Sequence, residues 1–170
     1  FGMALSAHLL GAALLALAAW LLRQDIARRT VKESGLTRFI AVCLLSGYVW
    51  LALAGAIMLA AGLAPGSFAY DAALHALMLG FVFSMVFGHA PIIFPAVLRV
   101  AVPYHPGFYA PLALLHLSLL LRLAGDAADA PGWRSLGGLL NAAALALFIL
   151  GTIAAVVRGR LRKAAGNRRS

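Results

Sequence analysis

The sequence predicts an all-α, polytopic integral membrane protein: a bundle of five transmembrane helices with the N-terminus outside and the C-terminus cytoplasmic. Three observations predict it. The 170 residues are 64% hydrophobic and only 11% charged, with a mean hydropathy of +0.96, whereas a soluble domain has about a quarter of its residues charged. Apolar runs of about 20 residues recur, the length that crosses a bilayer as a helix. The basic residues fall at the ends of those runs, most of them on one side, as the positive-inside rule requires. Alanine and leucine dominate and β-branched residues are few, which favours helices over a barrel. The expectation is a single transmembrane domain over 1–170, multi-pass in the cell's inner (plasma) membrane.

The first span runs from about 2 to 22. It follows Phe1 directly, with no initiator methionine, and is too long and leucine-rich for a simple signal peptide. The chain therefore reads either as a processed N-terminus or as the C-terminal part of a longer protein. The second span covers about 37–61 and stops at the Gly/Pro turn GLAPGS. The third, about 71–98, leads through RVAVPYHPG into the fourth, about 108–123. After GDAADAPGW comes the fifth, about 135–157, and then the basic tail RGRLRKAAGNRRS. Small residues run through spans one and five, permitting close helix contact. Tyr70, Tyr104, Tyr109 and Trp133 lie at span ends as interfacial anchors, whereas Tyr48 and Trp50 fall mid-span and pack between helices or face lipid. The one cysteine, Cys43, lies in an apolar run and reads as a small buried residue.

Charge sets the orientation. Loop 23–38, loop 99–106 and the tail fall on one side of a five-span topology and hold 12 of the 14 Lys and Arg; Arg122 and Arg134 alone lie opposite. The net charge of +9 is thus a topology signal and a contact for anionic membrane lipids, and not a nucleic-acid surface.

The stretch that carries chemistry is span three, DAALHALMLGFVFSMVFGHAPIIFPAVLR. Ionisable side chains inside a membrane helix are costly and mark functional sites, and this helix holds His75 and His89. At about 100° per residue their spacing returns them to nearly one face, roughly 21 Å apart along the axis. His8 in span one and His116 in span four supply two more imidazoles. By depth they suggest the level pairs His8 with His75 and His89 with His116. Neutral imidazole ligates haem iron, copper or zinc, so His75, His89, His116 and His8 are the candidate ligands. Two rings from facing helices would complete a six-coordinate haem b, with copper the lesser alternative. Gly80 and Gly88 would let a flat macrocycle approach, Phe81, Phe83, Phe87 and Phe94 would line it, and Arg122 or Arg134 would pair with propionates. Pro91 and Pro95 should kink the inner third of the span. His105, between two prolines, reads as solvated. No acid sits deep in a span, which counts against a carboxylate-driven transporter. Asn141 is the only other strongly polar group near a span's interior.

The run HALMLGFVFSMVFGHAPIIFPAV resembles the histidine-bearing second helix of haem–copper oxidase catalytic subunits, especially the cbb3-type and nitric-oxide-reductase branch, in His75, Phe87, Gly88 and Pro95. The wider pattern is similar to the NnrS family of haem- and copper-containing membrane proteins linked to nitric oxide metabolism. The resemblance covers about 25 residues of 170. It implies a ligand role for His75 toward low-spin haem b and a place in respiratory electron transport. The chain departs from the oxidases in having far fewer helices and no adjacent His-His pair. The histidine spacing also resembles, in one helix only, the two-haem helices of cytochrome b. The resulting expectation is a haem b-binding membrane protein in electron transfer or NO/O2-related redox chemistry, working with other membrane subunits or a redox partner. The contrasting expectation is a cofactor-free accessory subunit whose histidines only tie helices together; a small-solute transporter is the third.

Overall fold

A computed structural model describes residues 2–99 and 102–166. Among these the chain is all-helical, and five helical stretches are long and apolar enough to cross a membrane: Leu5–Gln24, Gly35–Ala61, Phe68–Val97, Pro106–Ala127 and Pro131–Leu161. Their number and order are those expected, and they are consistent with a membrane protein. Arg168 and Arg169 of the basic tail lie outside the described residues.

Helix α1 (Gly2–Gln24) and helix α3 (Gly35–Ala61) form the first hairpin. The stretch between them, expected to be loop, contains the one-turn helix α2 (Ala27–Thr30). Asp25 explains it. One carboxyl oxygen accepts from the Ala27 N–H at 2.7 Å, and the other accepts from the Tyr48 hydroxyl at 2.5 Å, tying the turn to α3. Gly11 and Gly55 allow the two long helices to touch backbone to backbone, since a Cβ built on Gly55 would lie 2.8 Å from the Gly11 carbonyl oxygen.

The third membrane-length helix has three parts: α4 (Phe68–His75), a π-helical segment (Ala76–Val82), and α5 (Phe83–Leu98). Ser67 begins α4 as an N-cap, its hydroxyl accepting from the Tyr70 N–H at 3.1 Å. Helix α5 continues through Pro91 and Pro95, and a change of winding lies well before them, in Ala76–Val82, where the Trp50 indole lies against Gly80. A π turn closes i→i+5 and takes more residues per turn, so the even 100° advance assumed between His75 and His89 does not hold.

A short 3-10 turn (Pro106–Phe108) leads into α6 (Tyr109–Ala127), which pairs antiparallel with α7 (Pro131–Gly166). Helix α7 runs past the apolar run into the basic stretch that the sequence suggests is a tail; its Arg, Leu, Lys and Ala residues are strong helix formers. The core lies toward the basic end of the bundle. Phe39 and Cys43 of α3, Phe87 and Ala90 of α5, Leu112 and Leu115 of α6 and Phe148 of α7 are all buried there. Phe87 stacks on Phe148 with centroids 3.8 Å apart. A second apolar cluster, Trp50, Ala54, Ala76 and Leu119, joins α3 and α6 to the π segment.

Candidate functional site

The histidines fall into two kinds, decided by what each ring nitrogen bonds. His116, on α6, points into α3. Its Nδ1 accepts from the Trp50 indole N–H at 2.9 Å, and its Nε2 lies 3.1 Å from the Ser46 hydroxyl. An indole only donates, so Nδ1 carries the lone pair and Nε2 carries the proton, donated to Ser46. Ser46 passes its own proton to the Val42 carbonyl at 2.8 Å, with the Cys43 carbonyl at 3.0 Å. The Trp50 ring also stacks over the imidazole, centroids 6.1 Å apart. Both nitrogens of this imidazole are bonded within the protein. A metal on His116 would have to break one of these bonds.

His75 and His89 are the opposite case. Nδ1 of His75 lies 2.8 Å from the Asp71 carbonyl oxygen, and Nδ1 of His89 lies 2.7 Å from the Met85 carbonyl oxygen. A carbonyl only accepts, so in both rings Nδ1 holds the proton and the neutral ring's lone pair sits on Nε2. Both are the same helical i−4 contact. An imidazole oriented this way by its other nitrogen is the arrangement of a metal-ligating histidine.

The surroundings of the two differ. His75 is half-buried at the turn end of the bundle, the end that carries turns 62–67 and 128–130. There Asp71 lies between it and α6, with Oδ1 3.3 Å from the His75 Nδ1 and Oδ2 2.9 Å from a terminal nitrogen of Arg122. Arg134 of α7 adds a cation, its guanidinium carbon 4.5 Å from the centre of the Phe68 ring. An open cleft of about 550 Å³ lies beside this group, lined in part by Ser67, Phe68, Tyr70, Asp71, Arg122 and Arg134. His89 is exposed on α5 beside exposed Val86, Ile92 and Ile93, so it faces whatever surrounds the bundle.

The expected pair His89 with His116 is not drawn together. His116 turns into α3 while His89 faces outward, and His8 of α1 lies against the Gly62 turn, its Cε1 3.6 Å from a Cβ built there. Among the described residues no three His, Cys, Asp or Glu gather as a metal site. The glycine faces expected to admit a macrocycle are filled by α3. A Cβ on Gly88 would lie 3.0 Å from the Cys43 Cβ, and Trp50 covers Gly80. Of the phenylalanines, Phe87 is wholly buried against Phe148. Arg122 is where expected, at the turn end, but engages Asp71. His105, expected to be solvated, is exposed and accepts from the Gly107 N–H at 2.9 Å, starting the 3-10 turn.

Asp71 and Ser46 are not among the expected site residues, and Trp50 packs between helices, one of its two expected positions, as the partner of His116. The Asp71–His75 spacing of four is a signal that was available, since i and i+4 share a helix face. The Trp50–His116 bond joins residues 66 apart in sequence, and no local pattern announces it.

The chain matches the family described as domain of unknown function DUF8744 over residues 3–157, and it belongs to that family. No curated protein and no solved structure matches it.

Proposed function

We propose that this member of the DUF8744 family is a haem b-binding membrane protein that presents His75 and His89 as axial ligands. The observation that carries the reading is the pair of Nδ1–H···O=C bonds, at 2.8 and 2.7 Å, which leave each Nε2 lone pair available. Because α3 fills the glycine faces of the third helix, a haem at either ring would lie on the bundle's outside. The second ligand and the far wall of its pocket would then come from another membrane segment or subunit. Arg122 and Arg134, at the same end as His75, supply cationic donors for carboxylate groups. Haem, once bound, supplies a one-electron couple whose potential the protein tunes through its axial ligands and burial. Electron transfer follows if both axial positions are filled, and NO or O2 binding if one is open. Copper bound at the same Nε2 atoms is the lesser variant. The orientation that fits the charge distribution puts the turn end outside and the basic end in the cytoplasm of the plasma membrane.

A second reading is favoured by a different observation. The closed Trp50–His116–Ser46 node and the filled glycine faces are what a cofactor-free accessory subunit would show. A dithionite-reduced minus oxidised spectrum of protein purified from haem-replete cells, with a pyridine haemochrome assay, separates the two. A b-type α band is expected. Protein with neither haem nor stoichiometric copper, isolated with its native membrane partners, sinks the haem reading and leaves the accessory one.

A further inference from the structure

Ser118, Arg122 and Asp126 recur every four residues along α6 and form one stripe. The stripe faces Arg134, Gly137, Gly138 and Asn141 of α7. The glycines bring the helices close: a Cβ on Gly137 would lie 2.8 Å from the Arg122 backbone nitrogen, and one on Gly125 would lie 2.7 Å from that of Arg134. At the deep end the Ser118 hydroxyl donates to the Asn141 side-chain oxygen at 2.5 Å.

Four polar atoms along this seam are buried and have no hydrogen-bond partner among the protein's atoms: the Arg122 Nε, both Asp126 carboxyl oxygens and the Asn141 Nδ2. The Asp126 side chain is only 3% exposed, and its nearest cation, Arg134, stands 3.9 Å away, too far for a hydrogen bond. Buried polar groups are almost always bonded, because leaving them bare is costly. The unpartnered groups are of both kinds: Asn141 and Arg122 donate, Asp126 accepts. Water is the small group that serves both. The seam also opens outward, since Arg122 and Arg134 line the cleft at the turn end.

We infer that α6 and α7 enclose a hydrated polar seam, a half-path that admits water and protons from the turn end as far as Asn141. The charged and titratable groups along it are Asp71 and His75 from the third helix, Arg122 and Asp126 from α6, Asp129 from the turn, and Arg134 from α7. Asp126 lies within electrostatic reach of Asp71, Arg122, Arg134 and His75. A proton arriving through water from the cleft reaches the unpartnered Asp126 carboxyl oxygens, each water accepting one proton and releasing one. Beyond Asn141 the facing residues are Leu115, Ala144 and Phe148, all buried and apolar, so the path ends inside the bundle. This inference does not rest on haem.

The test is side-chain hydrogen exchange by NMR on the unmodified protein in lipid nanodiscs. The Arg122 Nε–H and the Asn141 amide should exchange with solvent at least about tenfold faster than the Trp50 indole N–H, which is bonded within the protein and off the seam. Rates as slow as that of Trp50 overturn the inference. Asp126→Leu, which replaces the acceptor with an apolar group, should slow exchange at Asn141 and leave Trp50 unchanged. An unaltered Asn141 rate in the assembled variant also overturns it. Should that variant fail to assemble, the measurement on the unmodified protein decides alone.

Discussion

His116 and His75 are the same residue in helices of similar character, yet the protein uses them in opposite ways. His116 accepts at Nδ1 and donates at Nε2, and both bonds run to another helix. His75 donates at Nδ1 to its own helix and keeps its Nε2 lone pair. His89 repeats the His75 pattern. An imidazole has one proton and one lone pair when neutral, so whichever nitrogen is committed first fixes the role left for the other. A ring that meets an indole N–H becomes a tie between helices. One that meets its own i−4 carbonyl becomes an outward-facing base or ligand. Burial alone would not separate the two, because His75 and His116 are both half-buried.

The strongest way to break this comparison is through haem loss. His75→Ala and His89→Ala should each remove the haem that the substituted ring ligates and lower the b-type α band by that share, whereas His116→Gln should retain the band in full. Haem content per chain by pyridine haemochrome is the readout. A band that survives both alanine variants but disappears in His116→Gln would invert the assignment of ligand and tie.

The next effect is on stability. His116→Ala removes a ring bonded at both ends and stacked on Trp50, and should cost about 2 kcal/mol. Trp50→Phe keeps most of the packing and loses one hydrogen bond, so about 1 kcal/mol is expected. Equilibrium unfolding in mild detergent, for the two variants and their double mutant, gives the coupling. Purely additive losses would mean that the observed bond contributes nothing beyond packing.

How far these roles could be read from the residues depends on how local each determinant is. The five helices were legible because hydropathy and length act within one segment: GLAPGS and GDAADAPGW punctuate the chain, and helices end there. The third helix was legible as the bearer of His75 and His89, but the phase between the rings was not. It depends on the π winding of Ala76–Val82, at the point where Trp50 from a different helix packs on Gly80. Gly80 and Gly88 illustrate the same limit. A bare glycine face signals a close approach, and the sequence does not say by what; here the neighbour is α3. Asp126 looked like a helix-end acid and is indeed one, yet α7 closes over it. That burial follows from the glycines facing Arg122 and Arg134, a pairing between elements that no window on one of them reveals.

Gly80 gives a test of intermediate size. A Cβ there would run into the Trp50 indole, a rigid ring already fixed by His116, so Gly80→Ala should destabilise by about 1–3 kcal/mol through overpacking. Combined with Trp50→Phe the penalty should shrink, because the smaller ring can retreat. A Gly80→Ala protein as stable as the parent would show that Trp50 is not held as firmly as its two contacts imply.

The smallest effect sharpens the His75 side. Asp71→Asn removes the charge opposite Arg122, but that pair is partly exposed, with the Asp71 side chain 38% accessible. Solvent screening therefore limits the cost to about 1 kcal/mol or less. The His75 Nδ1–H is bonded to the Asp71 backbone carbonyl at 2.8 Å, closer than the carboxyl oxygen at 3.3 Å, and the substitution leaves that carbonyl in place. If the backbone bond fixes the ring, Asp71→Asn should retain the haem band with at most a modest shift in midpoint potential, since only a nearby charge has changed. If the band falls as it does in His75→Ala, then the carboxylate orients His75, and the i−4 carbonyl contact that His75 shares with His89 is not what prepares them as ligands.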